Sequence, residues 1–232
     1  CHEDVVGAHN LSVHGRMAAV GRFPDNGCSV CHGTIHELLP QEDPESPTNP
    51  VCISDTCAVC HSDPDLAADL GIHLVLPIEA YSESVHSRAI QRGVKAATCC
   101  ECHGTHDIQP AAREDSKVHT DNVPETCGKC HGSVTAVFNE SVHGRALAHG
   151  LHDAPSCTDC HVGHDLPDPN SAASRNQQGD RCGNCHTELQ TAYRLSMHGE
   201  LSDLGYTAGA KSSDCHGSHE ILAQSDPNSM MA

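Results

Sequence analysis

The sequence predicts coil and short α-helices with little or no β-sheet, organised around something other than an aliphatic core. Three observations lead there. Large apolar groups are scarce: 232 residues hold no Trp, two Phe and three Tyr, against sixteen Cys and twenty-one His. Such groups normally dominate burial, so a chain poor in them needs staples or a cofactor. The linkers are polar and broken by Pro, as at Pro40, Pro44, Pro47 and Pro50 and again between Asp165 and Asp180. Between them recur brief segments with helix signals at both ends.

The helical segment reads Ser-Val-His-Gly-Arg, with Ser87 for Gly in the second copy and Met197 for Val and Glu200 for Arg in the fourth. It occurs around His14, His86, His143 and His198, with Ser12, Ser84, Ser141 and Ser196 two residues before the His. Gly21, Gly93, Gly150 and Gly205 follow seven residues after it. Ser in the first turn and Gly at the C-terminal cap predict a two-turn helix. Tyr81, Phe138 and Tyr193 precede three of these serines by three residues.

Cys-x-x-Cys-His occurs six times, at Cys28/Cys31/His32, Cys57/Cys60/His61, Cys99/Cys102/His103, Cys127/Cys130/His131, Cys157/Cys160/His161 and Cys182/Cys185/His186. Two thiols three positions apart can add to the two vinyl groups on one haem edge, and the next residue sets an imidazole under the iron. Zinc also uses Cys-x-x-Cys, but two pairs must converge on each metal and no His need follow. Six redox-active dithiols without a thioredoxin-like βαβ pattern make little chemical sense. The motifs predict covalently bound haem c, with the helices and coil wrapped around a stack of haems. Two sites are reduced: Ser212 stands where Cys215/His216 needs a first Cys, and Cys1/His2 is the second half of a motif. Each is expected to hold its haem by one thioether, making eight haems in all. Cys52 and Cys100 remain, and a disulfide between them is expected in an oxidising compartment.

These pieces form one repeat. A helix His is followed by a Cys-x-x-Cys-His that carries a second, trailing His, at His36, His106, His164 and His219. A plain Cys-x-x-Cys-His then closes the unit, at His61, His131 and His186, and His2 occupies that place for a preceding unit. Eight motif imidazoles thus meet eight repeated ones, so bis-His ligation of every iron is expected. A trailing His lies too close to its own motif His to cap the same iron, and should serve a neighbouring haem. His9, His73, His119, His149 and His152 fall outside the pattern. The chain reads as a single domain of about three and a half repeats.

A formal charge of −18, with 31 acidic against 13 basic residues, excludes nucleic acid as a partner. Haem propionates would add roughly 16 further negative charges. The balance suits cationic or mineral acceptors. No apolar run reaches membrane-spanning length, so no transmembrane segment is expected, and the chain reads as a mature exported form.

The succession Ser-Val-His-Gly, Cys-x-x-Cys-His-Gly-x-His and Cys-x-x-Cys-His resembles the multihaem c-type cytochromes with paired haem motifs. Within them it most resembles the octahaem proteins that polymerise into extracellular cytochrome filaments. The resemblance covers nearly the whole chain; Ser212 and the incomplete motif at Cys1 depart from it. It implies electron hopping along a haem stack continuous across subunits, in an extracellular or cell-surface setting. The implied partners are other copies of the chain, redox proteins or mineral acceptors. Laying the C-terminus of one copy against the N-terminus of the next completes a repeat, an expectation from the sequence itself. A monomeric periplasmic shuttle is the alternative, and a multihaem reductase a more distant one. The octahaem reductases commonly use Lys as proximal ligand, and no Cys-x-x-Cys-Lys occurs here. About 29 residues per haem leave little to shape a substrate cavity, so no enzyme activity is expected.

Overall fold

The computed structural model describes residues 2–23, 27–70 and 76–232. Cys1, expected to attach a haem, and His73 lie outside them. About half of the described chain is helical, in fifteen helices of which most run five to nine residues, and no strand occurs among the described residues.

The Ser-Val-His helices are Val13–Ala19, Val85–Gln91, Val142–Ala148 and Met197–Asp203. Each starts at a serine whose hydroxyl accepts the N–H three residues on, at Gly15, Ser87, Gly144 and Gly199 (3.0–3.3 Å). Each stops where Gly21, Gly93, Gly150 or Gly205 takes a positive φ of 70–82°. In three of the four, Gly follows the His. A Cβ at Gly15, Gly144 or Gly199 would collide with the carbonyl of His9, Phe138 or Tyr193, at the end of the preceding helix. The sequence reading missed that leading helix: Glu3–Leu11, the second half of Val123–Glu140, and Thr187–Arg194. It begins at the motif His of the plain element. His2 (φ −122°, ψ 40°), His131 (−104°, 39°) and His186 (−97°, 54°) all leave helical geometry there. In two repeats a tyrosine near its end is tied down: Tyr81 and Tyr193 donate to the carbonyls of Ala97 and Ala210, both at 2.9 Å.

The Pro-broken linkers are regular. In 40–52, 110–122 and 223–232 every third N–H is donated to the carbonyl three residues back, from Asp43 to Pro40 through Cys52 to Asn49 in the first. Asn49 and Asn122 stitch two of these runs with side-chain amides onto two carbonyls each.

Two compact units result, Cys1–Asn122 with His164–Leu166, and Val123–Gly163 with Pro167–Ala232. The division falls inside a repeat, between a turn run and the helix at Val123, where composition does not change.

The burial pattern is unusual. The most deeply buried side chains are serines: Ser12, Ser46, Ser84, Ser116, Ser141 and Ser156. Among the described residues only Ile53, Ala67, Ile90, Val123 and Leu147 make a buried apolar set, while Leu11, Ile35, Val59, Leu189 and Leu195 stand exposed. The polypeptide presents 14841 Å² of surface. A folded monomer of this mass exposes about 10,000 Å², and two separate bodies of half the mass about 12,000 Å². The hydrogen bonds are in place while much apolar surface is left uncovered by protein.

Candidate functional site

Four five-residue helices carry the motifs with trailing His: Cys28–His32, Cys99–His103, Cys157–His161 and Ser212–His216. One helical turn separates first and second Cys, so both thiols share a face. Three of these helices carry at their third position an acidic residue that reaches back to the N-cap N–H. Glu101 accepts from Thr98, Asp159 from Ser156 and Asp214 from Lys211, at 2.7–2.8 Å. The residue after the His turns the chain with positive φ, at Gly33, Gly104, Val162 and Gly217. That turn throws the trailing His clear of its own motif.

The imidazoles meet in pairs. In the first unit His32 faces His106 and His103 faces His164, each with ring centroids 5.9 Å apart and planes 12° from parallel. In the second, His161 faces His219 at 5.8 Å and 13°. Each trailing His thus lies against the motif His of the preceding element, as the short spacing to its own His requires. The helix imidazoles pair differently: His14 faces His61 at 6.2 Å and 64°, and His143 faces His186 at 6.2 Å and 33°. Each joins the plain motif that follows it.

Two imidazoles bound on opposite sides of one metal, each nitrogen about 2 Å from it, have centroids about 6 Å apart. Ring stacking spans similar separations. Among the described residues, each of these five pairs joins one motif His to one repeated His. Burial lowers the His14 pKa to about 4, with help from His61 and His9 nearby. His103 is held to about 4 by burial, then by His164 and His61. His61, His106, His143, His161 and His164 are lowered too, in each case chiefly by burial. These rings stay neutral at neutral pH, the form that can ligate a metal.

The thiols approach one another between motifs. Cys57 hydrogen-bonds Cys99, and Cys127 hydrogen-bonds Cys157, so the first Cys of a plain motif touches the first Cys of the next motif with a trailing His. The contact raises the pKa of Cys57 and Cys157 and lowers that of Cys99 and Cys127. Among the described residues no three His, Cys, Asp or Glu side chains gather as a protein-only metal site would require.

Cys31, Cys60, Cys102, Cys130, Cys160, Cys182, Cys185 and Cys215 keep their motif positions and none is joined in a disulfide. His86 and His131 are engaged in contacts of their own. The expected Cys52–Cys100 disulfide does not form: both are free, and the Cys52 thiol donates to the Pro44 carbonyl (3.3 Å), drawn there by the turn run before Ile53. His119, outside the pattern, sits 3.6 Å from Asp121. No helix among the described residues is long and apolar enough to cross a membrane.

No protein family, no curated protein and no solved structure matches this chain.

Proposed function

We propose that this chain is a multihaem c-type cytochrome whose function is electron transfer, with haem c at each of the eight motif sites. The observation that carries this is the set of five imidazole pairs, each of one motif His and one repeated His. Their separation suits a metal between them, and the adjacent paired thiols suit thioether attachment. Haem c bound there supplies reversible one-electron iron chemistry. The residues do the rest. The thiols of Cys28/Cys31 and its five counterparts anchor; Cys1 and Cys215 each anchor alone. His2, His32, His61, His103, His131, His161, His186 and His216 would each supply one iron ligand. His14, His86, His143, His198, His36, His106, His164 and His219 would supply the second. With both positions filled by protein, no substrate reaches iron, which favours electron transfer over bond-making catalysis. The Cys57–Cys99 and Cys127–Cys157 contacts bring the anchoring points of successive sites together. The exposed apolar side chains and the excess surface are the polypeptide half of a core completed by porphyrin. The acidic surface suits redox proteins or mineral acceptors outside the cell, or in the periplasm.

The test is optical. The protein matured with haem should show the haem c pyridine haemochrome at eight equivalents per chain, and low-spin ferric signals at the paired sites. Colourless material, or carbon monoxide binding at most of the reduced haems, would defeat the proposal.

A further inference from the structure

One trailing-His element departs from its counterparts at two neighbouring positions. The residue before the five-residue helix is Gly27, Thr98, Ser156 or Lys211, and the helix then begins on Cys28, Cys99, Cys157 or Ser212. Thr98, Ser156 and Lys211 are all buried, at 5 %, 1 % and 3 % exposure. The element that lacks its first Cys is thus the one with an ammonium where two counterparts place a hydroxyl.

The surroundings of that ammonium show what it does. Lys211 Nζ donates to Ser202 Oγ (2.6 Å) and to the Tyr206 carbonyl (3.4 Å). Ser202 lies on Met197–Asp203, the helix that carries His198, and Tyr206 follows the Gly205 turn that ends it. Asp180 and Asp203 line the same cavity, but both act on Arg194, and Asp180 forms an ion pair with it. Both hydrogen-bond partners of Lys211 are therefore neutral oxygens. Holding a charge away from water in that way is costly, and capping does not require it, since Ser156 caps its helix with a hydroxyl. What the lysine adds is reach: a charge-assisted bond from one element to the next. Elsewhere the first Cys of the motif makes such a reach. Cys99 touches Cys57, and Cys157 touches Cys127, each on the helix of a plain motif.

We infer that Lys211 is a positioning residue that takes over from the missing first thiol. It ties the Ser212–His216 helix to the helix of His198 and so holds Cys215 and His216, where the counterpart elements gain a second thioether. The inference rests on the electron-transfer reading and assigns this residue a part in it.

The test uses the haem-loaded 232-residue chain, with amide hydrogen exchange across 212–217 reporting how firmly the element is held. Lys211→Ser keeps a capping hydroxyl, as at Ser156, and removes the tie. Ser202→Ala removes only its acceptor and leaves the lysine, should the first variant fail to fold. Exchange across 212–217 should rise several-fold in each, and high-spin ferric haem should rise by no more than one equivalent per chain. Adding Ser212→Cys to either variant restores a second thioether and should return both readouts to the parent's. Cys157→Ser makes the same loss in an element without such a lysine, and should speed exchange across 157–161. Parent-like exchange in both tie variants, no recovery on adding Ser212→Cys, high-spin haem beyond one equivalent, or unchanged exchange in Cys157→Ser would each overturn the role of Lys211 alone. Absence of haem c from the parent would overturn the electron-transfer reading and this role with it.

Discussion

The helices Cys99–His103 and Ser212–His216 lie in different units and differ at their first position, yet they fold alike. Both span five residues, begin on an acid-to-backbone cap and end at a glycine of positive φ, 92° at Gly104 and 79° at Gly217. The first Cys contributes nothing to that geometry. On the proposed reading it would contribute a bond to haem, and in the first unit it also touches Cys57. Ser212 therefore leaves the scaffold of its element intact and, on the proposed reading, would remove one attachment point. Lys211 shows how the element adjusts next to it. Thr98 and Ser156 cap the equivalent helices, while Lys211 is buried there and its ammonium donates to Ser202 (2.6 Å).

One substitution made in both elements separates anchoring from folding, with the largest expected effect. Cys215→Ala removes the sole thiol of its site, and that haem should be extracted by acidic acetone. Cys102→Ala leaves Cys99, and its haem should stay covalent. Intact-mass measurement after extraction reads the difference as one haem; equal haem content in the two variants would break the comparison. Ser212→Cys should do the reverse. The haem count stays constant while the pyridine haemochrome of that one site moves to the two-thioether position.

The next effect concerns the distal helices. Gly144 lies against the Phe138 carbonyl, where a methyl group has no room. Gly144→Ala should cost about 1–3 kcal/mol, the range for overpacking, and should disturb His143 beside it. A fall in the denaturation midpoint with new high-spin intensity at the His143–His186 site checks it. Ser87 fills the equivalent place in its repeat, whose leading helix Pro77–Ser82 is six residues long against nine for Glu3–Leu11.

Much of this was legible along the sequence because local chemistry writes it there. Ser12 and Gly21 bracket a helix through caps that involve neighbours only, and the trailing His is turned away by the residue following the motif. The pairing of His32 with His106 was legible only as an exclusion, since the partner lies 74 residues on and nothing local names it. The turn runs at 40–52 and 110–122 read as irregular coil because their period-three hydrogen bonds are backbone to backbone and tolerate many side chains. Cys52 and Cys100 were matched by elimination, which carries no geometry.

The smallest effect is expected at Val162, and it tests how far the four trailing-His elements are interchangeable. Gly33, Gly104 and Gly217 turn with φ 78–92° and ψ within about 11° of 180°. Val162 turns with φ 55° and ψ 103°, a region a β-branched residue rarely enters. Even so His164 reaches His103 at the same 5.9 Å and 12° seen for His106 and His32. The endpoint is conserved and the path is strained, at about 1–3 kcal/mol for such a conformation. Glycine relieves the strain and gives back about 0.5–1 kcal/mol in chain entropy. Val162→Gly should therefore stabilise by about 1 kcal/mol, or about 2–4 °C in thermal midpoint for a chain of this size, with the haem spectrum unchanged. Gly104→Val should destabilise by more, because its Cβ would also meet the Asp107 carboxylate and the Lys117 ammonium. A Val162→Gly midpoint at or below that of the parent would mean that Gly163 already absorbs the strain and that this element reaches its partner by a relaxed route of its own.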